Sequence, residues 1–128
     1  MLHTEEDRLS NAIIGCALEV HQGLGPGLLE SAYETCLCYE MTQRGIAFER
    51  QKEQPVKYKQ VELDAGYRLD LVVGGLVVVE LKSVAQLEPI HEAQMLTHLK
   101  LSGLKLGLLM NFNVPVLKSG IKRMVNGL

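Results

Sequence analysis

"DLVVGGLVVVELK", residues 70 to 82, is the stretch that decides how this chain is read. Val and Leu on both sides of Gly74-Gly75 predict two strands joined by a tight turn. Yet Asp70 opens the stretch, and Glu80 and Lys82 close it. Charges inside a packed sheet are costly unless they are paired or bind a metal. Glu80 and Lys82 are two apart on one predicted strand, so both point to the same face. Whether Asp70 joins them depends on the loop. A two-residue loop pairs Val73 with Leu76 and Asp70 with Val79, which leaves Glu80 facing the other side. A three-residue loop, 74 to 76, pairs Val73 with Val77. It sets Asp70 opposite Glu80 and Arg68 opposite Lys82. A site at these residues therefore requires an odd loop or a bulge.

Two carboxylates at cross-strand distance repel each other. A divalent cation reverses that sign. Mg²⁺ favours one or two carboxylates completed by waters and substrate phosphate. A lysine alongside can orient or polarise the attacking water, or stabilise charge developing on phosphorus. Spacing alone leaves a second reading open, a salt-bridged pair at a strand end.

Around this stretch the chain reads as one α/β domain over residues 1–128. Its 128 residues are 47% hydrophobic, enough for a core, and with no Trp and two Phe that core must be aliphatic. The formal net charge of −2 argues against a basic nucleic-acid coat but allows a local patch. Cys16, Cys36 and Cys38 are an odd number without a CxxC pair, and Cys16 and Cys36 fall on apolar faces, so neither a disulfide framework nor a zinc site is expected. "MLHTEEDRLS" lacks the pattern of a signal peptide, and no apolar run is long enough for a bilayer. A cytoplasmic protein without membrane contact is the expectation.

The periodicity predicts a helix over "EEDRLSNAIIGCALEVHQGLG", with Leu9, Ile13, Cys16 and Val20 on its apolar stripe. "GLGPG" is a turn. A second helix runs from about Leu28 to Arg44, with Leu29, Ala32, Cys36 and Tyr39 or Glu40 at the same period. "IAFERQKEQ" and "PVKYK" read as half-exposed strands, with Pro55 starting the second. The two strands of the opening stretch follow. "PIHEAQMLTHLKLSG" is a helix, with Ala93 and Leu96 expected to lean into the core. "LKLGLLMNFNV" is a buried strand and "LKSGIKRMVNGL" a short basic tail. The predicted order is α-α-β-β-β-β-α-β, a central mixed sheet flanked by helices.

Asp70-x₉-Glu80-x-Lys82 resembles the core motif of the PD-(D/E)XK nuclease superfamily. "GLLESAY", residues 27 to 33, matches GxxExxY. With "EVHQGLGPG", "GYRLDLVV", "VVVELKSV", "HEAQMLTHLKLSG" and "LGLLMNFNV" it resembles the GxxExxY protein family, a branch of that superfamily. The resemblance implies a restriction-endonuclease-like fold with the acids at one sheet edge. It implies Mg²⁺ or Mn²⁺ held by Asp70, Glu80 and the backbone carbonyl of Leu81, with Glu30 nearby. It gives Lys82 the task of positioning water, and Gln94 that of orienting water or phosphate. Related branches carry Q-x-x-x-Y on the later helix, where this chain has Gln94-x-x-x-His98.

Arg68, Tyr33, His91, His98 and His21 are the further candidates for substrate contact. Several also have a plain reading. Glu30 with Tyr33 fits a helix N-terminus beside a half-buried Tyr, His21 suits a helix C-terminus, and His91 is an ordinary surface residue. Lys118, Lys122 and Arg123, with Arg68 and Lys82, could supply a local positive face. The leading expectation is a metal-dependent phosphodiesterase acting on nucleic acid, working as a homodimer that encloses its substrate. The alternative is a catalytically silent nuclease-like binding or regulatory module. A third reading is hydrolysis of a small phosphate ester or nucleotide.

Overall fold

The computed structural model describes residues 4–127, without the side chains of residues 64 and 65. Helix α1 spans Glu5–Leu24. It starts where Thr4 Oγ1 accepts a hydrogen bond from the Asp7 N–H at 3.0 Å, with Glu5, Glu6 and Asp7 in the first turn. That cap and those charges suit the positive end of the helix dipole. Ile13, Cys16, Ala17 and Val20 are its buried stripe. Helix α2 spans Glu30–Gln43. Its buried apolar residues are Tyr33, Leu37, Cys38 and Met41, while Leu29 and Tyr39 are exposed. The predicted stripe through Leu29, Ala32, Cys36 and Tyr39 is thus displaced by about one position. Apolar residues occupy two faces of this helix, and packing against α1 and the sheet chooses between them.

Strand β1 (Phe48–Tyr58) is continuous. The two strands expected on either side of Pro55 are one, with a register shift between Gln54 and Val56. β1 is an edge strand, and the bulge spares the sheet the N–H that proline lacks. The buried Gln54 amide fastens the bulge by donating to the Leu101 carbonyl at 3.2 Å. β2 (Val61–Val73) pairs antiparallel with β1 and with β3 (Val77–Lys82). A crossover through α3 (Pro89–Ser102) leads to β4 (Leu106–Asn111), which lies parallel to β3. A short 3₁₀ turn over Leu117–Gly120 then leads to β5 (Ile121–Val125), antiparallel to β4. The segment expected to be a tail is therefore a strand. The observed order has three strands before α3 and two after it, in a mixed five-stranded sheet β1-β2-β3-β4-β5.

The two central strands explain the sequence that opened the reading. β3 and β4 are covered on both faces, so both read as nearly unbroken aliphatic runs. On one face Leu71, Val73, Val77, Val79, Leu106 and Leu108 pack with α1 and α2. On the other, Leu69, Val72, Val78 and Leu109 pack with Met95 and Leu99 of α3. Helix α3 therefore turns Met95 and Leu99 inward. Ala93 and Leu96, expected in the core, are exposed. Gly107 lets α3 come close, since a Cβ there would stand 2.5 Å from Met95 Sδ.

Tyr33, the last residue of the GxxExxY match, is fully buried and stacks on Phe112 with ring centroids 4.5 Å apart. Its hydroxyl donates to the Gly25 carbonyl at 2.7 Å and accepts from the Leu28 N–H at 3.0 Å. It pins the Gly-Pro-Gly turn from within, and its expected contact with substrate is corrected to this structural role. Tyr33→Phe leaves the ring and strands two backbone groups. It should cost about 1–3 kcal/mol in denaturant unfolding, without changing divalent-metal affinity in a calorimetric titration.

Candidate active site at the fork between β2 and β3

The loop between β2 and β3 has three residues. Val73 pairs with Val77, Val72 with Val78 and Leu71 with Val79. Gly74 and Gly75 hold φ values of 59° and 68°, a conformation that glycine enters without a steric penalty. This is the odd loop that the site required. The ladder stops at Leu71, one pair before Asp70 and Glu80. From there β3 continues along β4 as far as the Lys82–Asn111 pair, while β2 leaves with β1. Asp70 sits in the fork. Its Oδ2 accepts the Leu81 N–H at 2.8 Å, so a side chain replaces the backbone partner that β2 no longer offers.

Side-chain alternation also breaks here. Leu69 packs on the α3 face, whereas Leu71 packs on the α1–α2 face. Across the strand pair Gln51 has φ 52°, a left-handed conformation unusual for a side-chain-bearing residue. The twin irregularity turns both Arg50 and Gln51 toward α2. Arg50 Nε donates to the buried Glu34 at 2.6 Å, and the Gln51 amide donates to the same carboxylate at 2.8 Å. The Gln51 amide also lies 3.5 Å from Asp70 Oδ1. Asp70 thus approaches the fork from the α2 side.

Glu80 and Lys82 approach it from the α3 side. They line a cleft of about 410 Å³ together with Gln94, His98, Tyr67 and Ile90. Gln94 is on that cleft, as the sequence reading expected. His98 Nδ1 stands 3.3 Å from Glu80 Oε2. The register of Val73 with Val77 would set Asp70 opposite Glu80, but the ladder stops one pair short of them, and Asp70 is not among the residues that line this cleft.

Burial raises the Asp70 carboxyl to about 6, the Leu81 N–H pulls it down, and the negative charges of Glu80, Glu34 and Glu30 push it up again. Glu30 is exposed at the first turn of α2 and acts through this field. Among the described residues no three His, Cys, Asp or Glu side chains are grouped to hold a metal. Glu30 therefore does not complete a cage with Asp70 and Glu80. Two carboxylates remain. Asp70 Oδ1 has one long contact, and Glu80 Oε2 is buried without a hydrogen-bond partner. That donor set fits one divalent ion that keeps waters in its shell.

The remaining candidates are placed elsewhere. His21 is buried, with Nε2 at 2.9 Å from the Val114 carbonyl, and is a structural residue. His91 Nδ1 accepts the Glu88 N–H at 2.9 Å and closes the N-terminal cap of α3, which removes that nitrogen from phosphate binding. Arg68 pairs with Glu53 at 3.4 Å on the outer ribbon. Lys122 pairs with Glu92 at 3.6 Å and Arg123 with Asp7, so the expected positive face is largely neutralised.

Three residues escaped the sequence reading. Glu34 and Gln51 carry no motif, and nothing in "ERQKEQ" marks a left-handed residue. Asn111 is buried and grips Val84, accepting from its N–H at 3.1 Å and donating to its carbonyl at 3.0 Å. It fixes the exit of β3 just after Lys82.

A carboxyl raised above its unfolded value binds its proton more tightly when folded. The native state then loses stability, relative to a neutral residue, as pH rises from about 4 through 6. Asp70→Asn keeps the acceptor for Leu81. It should match the metal-free wild type near pH 4 and exceed it by about 1–2 kcal/mol above pH 7, after discounting for partial exposure. Urea unfolding across that range reads the difference.

A family model described as the PD-(D/E)XK nuclease superfamily matches residues 7–124. No curated protein and no solved structure matches the chain. Nucleases of the superfamily generally use divalent metals. No helix among the described residues is long and apolar enough to cross a membrane. The match runs from the first turn of α1 into β5 and takes in the fork with Asp70, Glu80 and Lys82, so this chain belongs to the PD-(D/E)XK nuclease superfamily.

Proposed function

We propose that the chain is a divalent-metal-dependent phosphodiesterase that cleaves nucleic acid, from the GxxExxY branch of its superfamily. The observation that carries this reading is the fork. Asp70 is held there by the Leu81 N–H, and Glu80 and Lys82 emerge from the adjoining strand into one cleft with Gln94. A salt-bridged strand end would pair Lys82 with a neighbouring carboxylate. Instead Glu80 faces His98, and Lys82 lines the cleft wall.

Asp70 and Glu80 are the residues that would hold Mg²⁺ or Mn²⁺, with the Leu81 carbonyl between them on β3. The ion would supply Lewis-acid polarisation of the phosphate and a more acidic water. Lys82 presents its ammonium to the cleft, where it orients the attacking water and offsets charge that grows on the phosphate oxygens. Gln94, one helix face away, supplies an amide that can both donate to phosphate and accept from water. Glu34, Arg50 and Gln51 hold the α2 side of the fork and so the direction of Asp70. Below about pH 6 Asp70 keeps its proton, so metal affinity should fall as pH drops through that value.

A nucleic-acid substrate and a second copy of the chain to enclose it belong to the same proposal. Exposed Tyr58, Val61, Leu63 and Tyr67 on the outer β1–β2 ribbon give such a copy apolar surface to cover. The paired state of Arg68, Lys122 and Arg123 favours the rival, a nuclease-like module that binds without turnover.

Cleavage of single- and double-stranded DNA and RNA in Mg²⁺ or Mn²⁺ decides between them. The wild type should cut at least one, and Lys82→Ala should lower kcat by about 100-fold or more with metal affinity within about threefold. A wild type that binds metal and nucleic acid but cuts nothing establishes the module. Wild-type turnover by Lys82→Ala removes the lysine from the mechanism.

A further inference from the structure

Two parts of the cleft lining take no part in holding metal or positioning water. One is a stripe of α3. Ile90, Ala93, Gln94 and Thr97 recur at the i, i+3, i+4, i+7 spacing of one helix face, and all four line the cleft. Ile90 is 59% exposed, with Ala93 exposed beside it. The other is Tyr67 of β2, 55% exposed. Its ring meets that of His98 at 5.8 Å between centroids, tilted by 51°. Aromatic pairs are favourable at that separation. The contact steadies the Tyr67 ring against α3 and leaves much of the residue accessible.

Apolar walls do nothing for a phosphate, which needs charge and hydrogen bonds. They suit the flat face of a nucleobase. The cleft, about 410 Å³, is in the size range of sites that take small organic molecules. Stacking on an aromatic side chain is tolerant of sequence but needs an unpaired base, because a base in a duplex already stacks on its neighbours. Charge argues the same way. A duplex is held chiefly through many contacts between cations and phosphates. Arg68, Lys122 and Arg123 are each paired with an acid. Lys82 and Gln94 in the cleft provide for one phosphate.

We propose that the cleft takes one unpaired nucleotide of a single-stranded nucleic acid, with its base stacked on Tyr67 and packed against Ile90 and its phosphate turned to Lys82 and Gln94. The subsite rests on the reading that Lys82 and Gln94 receive a phosphate, and it makes the enzyme selective for single strands over duplex. Tyr67 then belongs to the substrate, and Tyr58, Val61 and Leu63 remain for a second copy of the chain.

The chain has no tryptophan, so Tyr67→Trp places a single reporter at the platform. Its emission should be quenched by a single-stranded oligonucleotide and not by an abasic strand of the same length. Anisotropy of labelled strands in Ca²⁺, with a gel to confirm that they stay intact, gives the affinities, and DNA and RNA arms identify the sugar. Wild type should bind at least one single strand about tenfold or more tighter than the matching duplex. Tyr67→Ala should weaken that binding roughly 5- to 100-fold and change duplex affinity by less than about twofold, whereas Tyr67→Phe should bind as wild type does. Circular dichroism confirms that the variants are folded, and the Tyr67→Trp emission alone tests the subsite if Tyr67→Ala is not. Equal affinity for single strand and duplex overturns the subsite, as do unquenched emission at saturating single strand and undiminished affinity in folded Tyr67→Ala. A dimer that becomes a monomer in Tyr67→Ala with single-strand affinity unchanged assigns the ring to the second copy and overturns it too. A cleavage assay on the same samples separates the two readings. Cutting with unquenched emission keeps the phosphodiesterase and removes the subsite, and quenching without cutting keeps the subsite and removes the phosphodiesterase.

Discussion

One hydrogen bond organises the site: the Leu81 N–H on the Asp70 carboxylate. Where β2 parts from β3, the backbone of β3 would otherwise lose its partner inside the protein. An acid in the gap satisfies that N–H and is itself steered by it. The fork between β2 and β3 can therefore open without leaving an orphaned donor. Burial works against the same carboxylate and raises its pKa to about 6. The negative charges of Glu80, Glu34 and Glu30 add to that. Asp70 thus ionises only at a higher pH than an ordinary aspartate, and a nearby positive charge would lower that threshold. A shift of this kind is typical of functional sites.

The rest of the structure serves that opening from two sides. On the α2 side, Glu34 gathers Arg50 and Gln51, and Gln51 accepts a left-handed backbone to reach it. Such a conformation persists only where surrounding contacts over-determine it. On the α3 side, Met95 and Leu99 seat the helix on β3 and β4, so that Gln94 and His98 come to face Glu80 and Lys82. Below, Asn111 clasps the chain after Lys82, and the Ser83 hydroxyl donates to the Leu28 carbonyl at 2.7 Å. Leu28 belongs to the turn that Tyr33 pins. The GxxExxY segment is therefore linked to β3 through backbone and a buried ring.

The chain contrasts with a basic nucleic-acid binder. Its cations are mostly matched by acids on neighbouring elements, from Arg123 with Asp7 to Lys122 with Glu92. Attraction to a polyanion would then come from bound metal and Lys82 rather than from a broad positive surface, and binding would depend less steeply on salt.

The sequence by itself determined the layers, and it narrowed the register at the central hairpin to two alternatives. Unbroken Val and Leu in β3 and β4 marked strands covered on both faces, and Gly74-Gly75 with the spacing of Asp70, Glu80 and Lys82 allowed the three-residue loop that the structure has. These features are local, so periodicity and turn chemistry reveal them. Tertiary structure alone decided the rest. It merged two predicted strands across Pro55, because an edge strand tolerates a bulge. It made a strand of the basic C-terminal segment, because β4 offered an open edge. It chose Tyr33, Leu37 and Met41 over Leu29 and Tyr39 as the inner face of α2, where two stripes competed. It also brought Glu34 and Gln51 to Asp70 and His98 to Glu80. The Gln51–Glu34, Gln51–Asp70 and His98–Glu80 contacts join residues 17, 19 and 18 positions apart. The broken alternation at the fork brings Gln51 to Asp70 and Glu34, the packing of α3 brings His98 to Glu80, and no pattern of neighbouring residues encodes either.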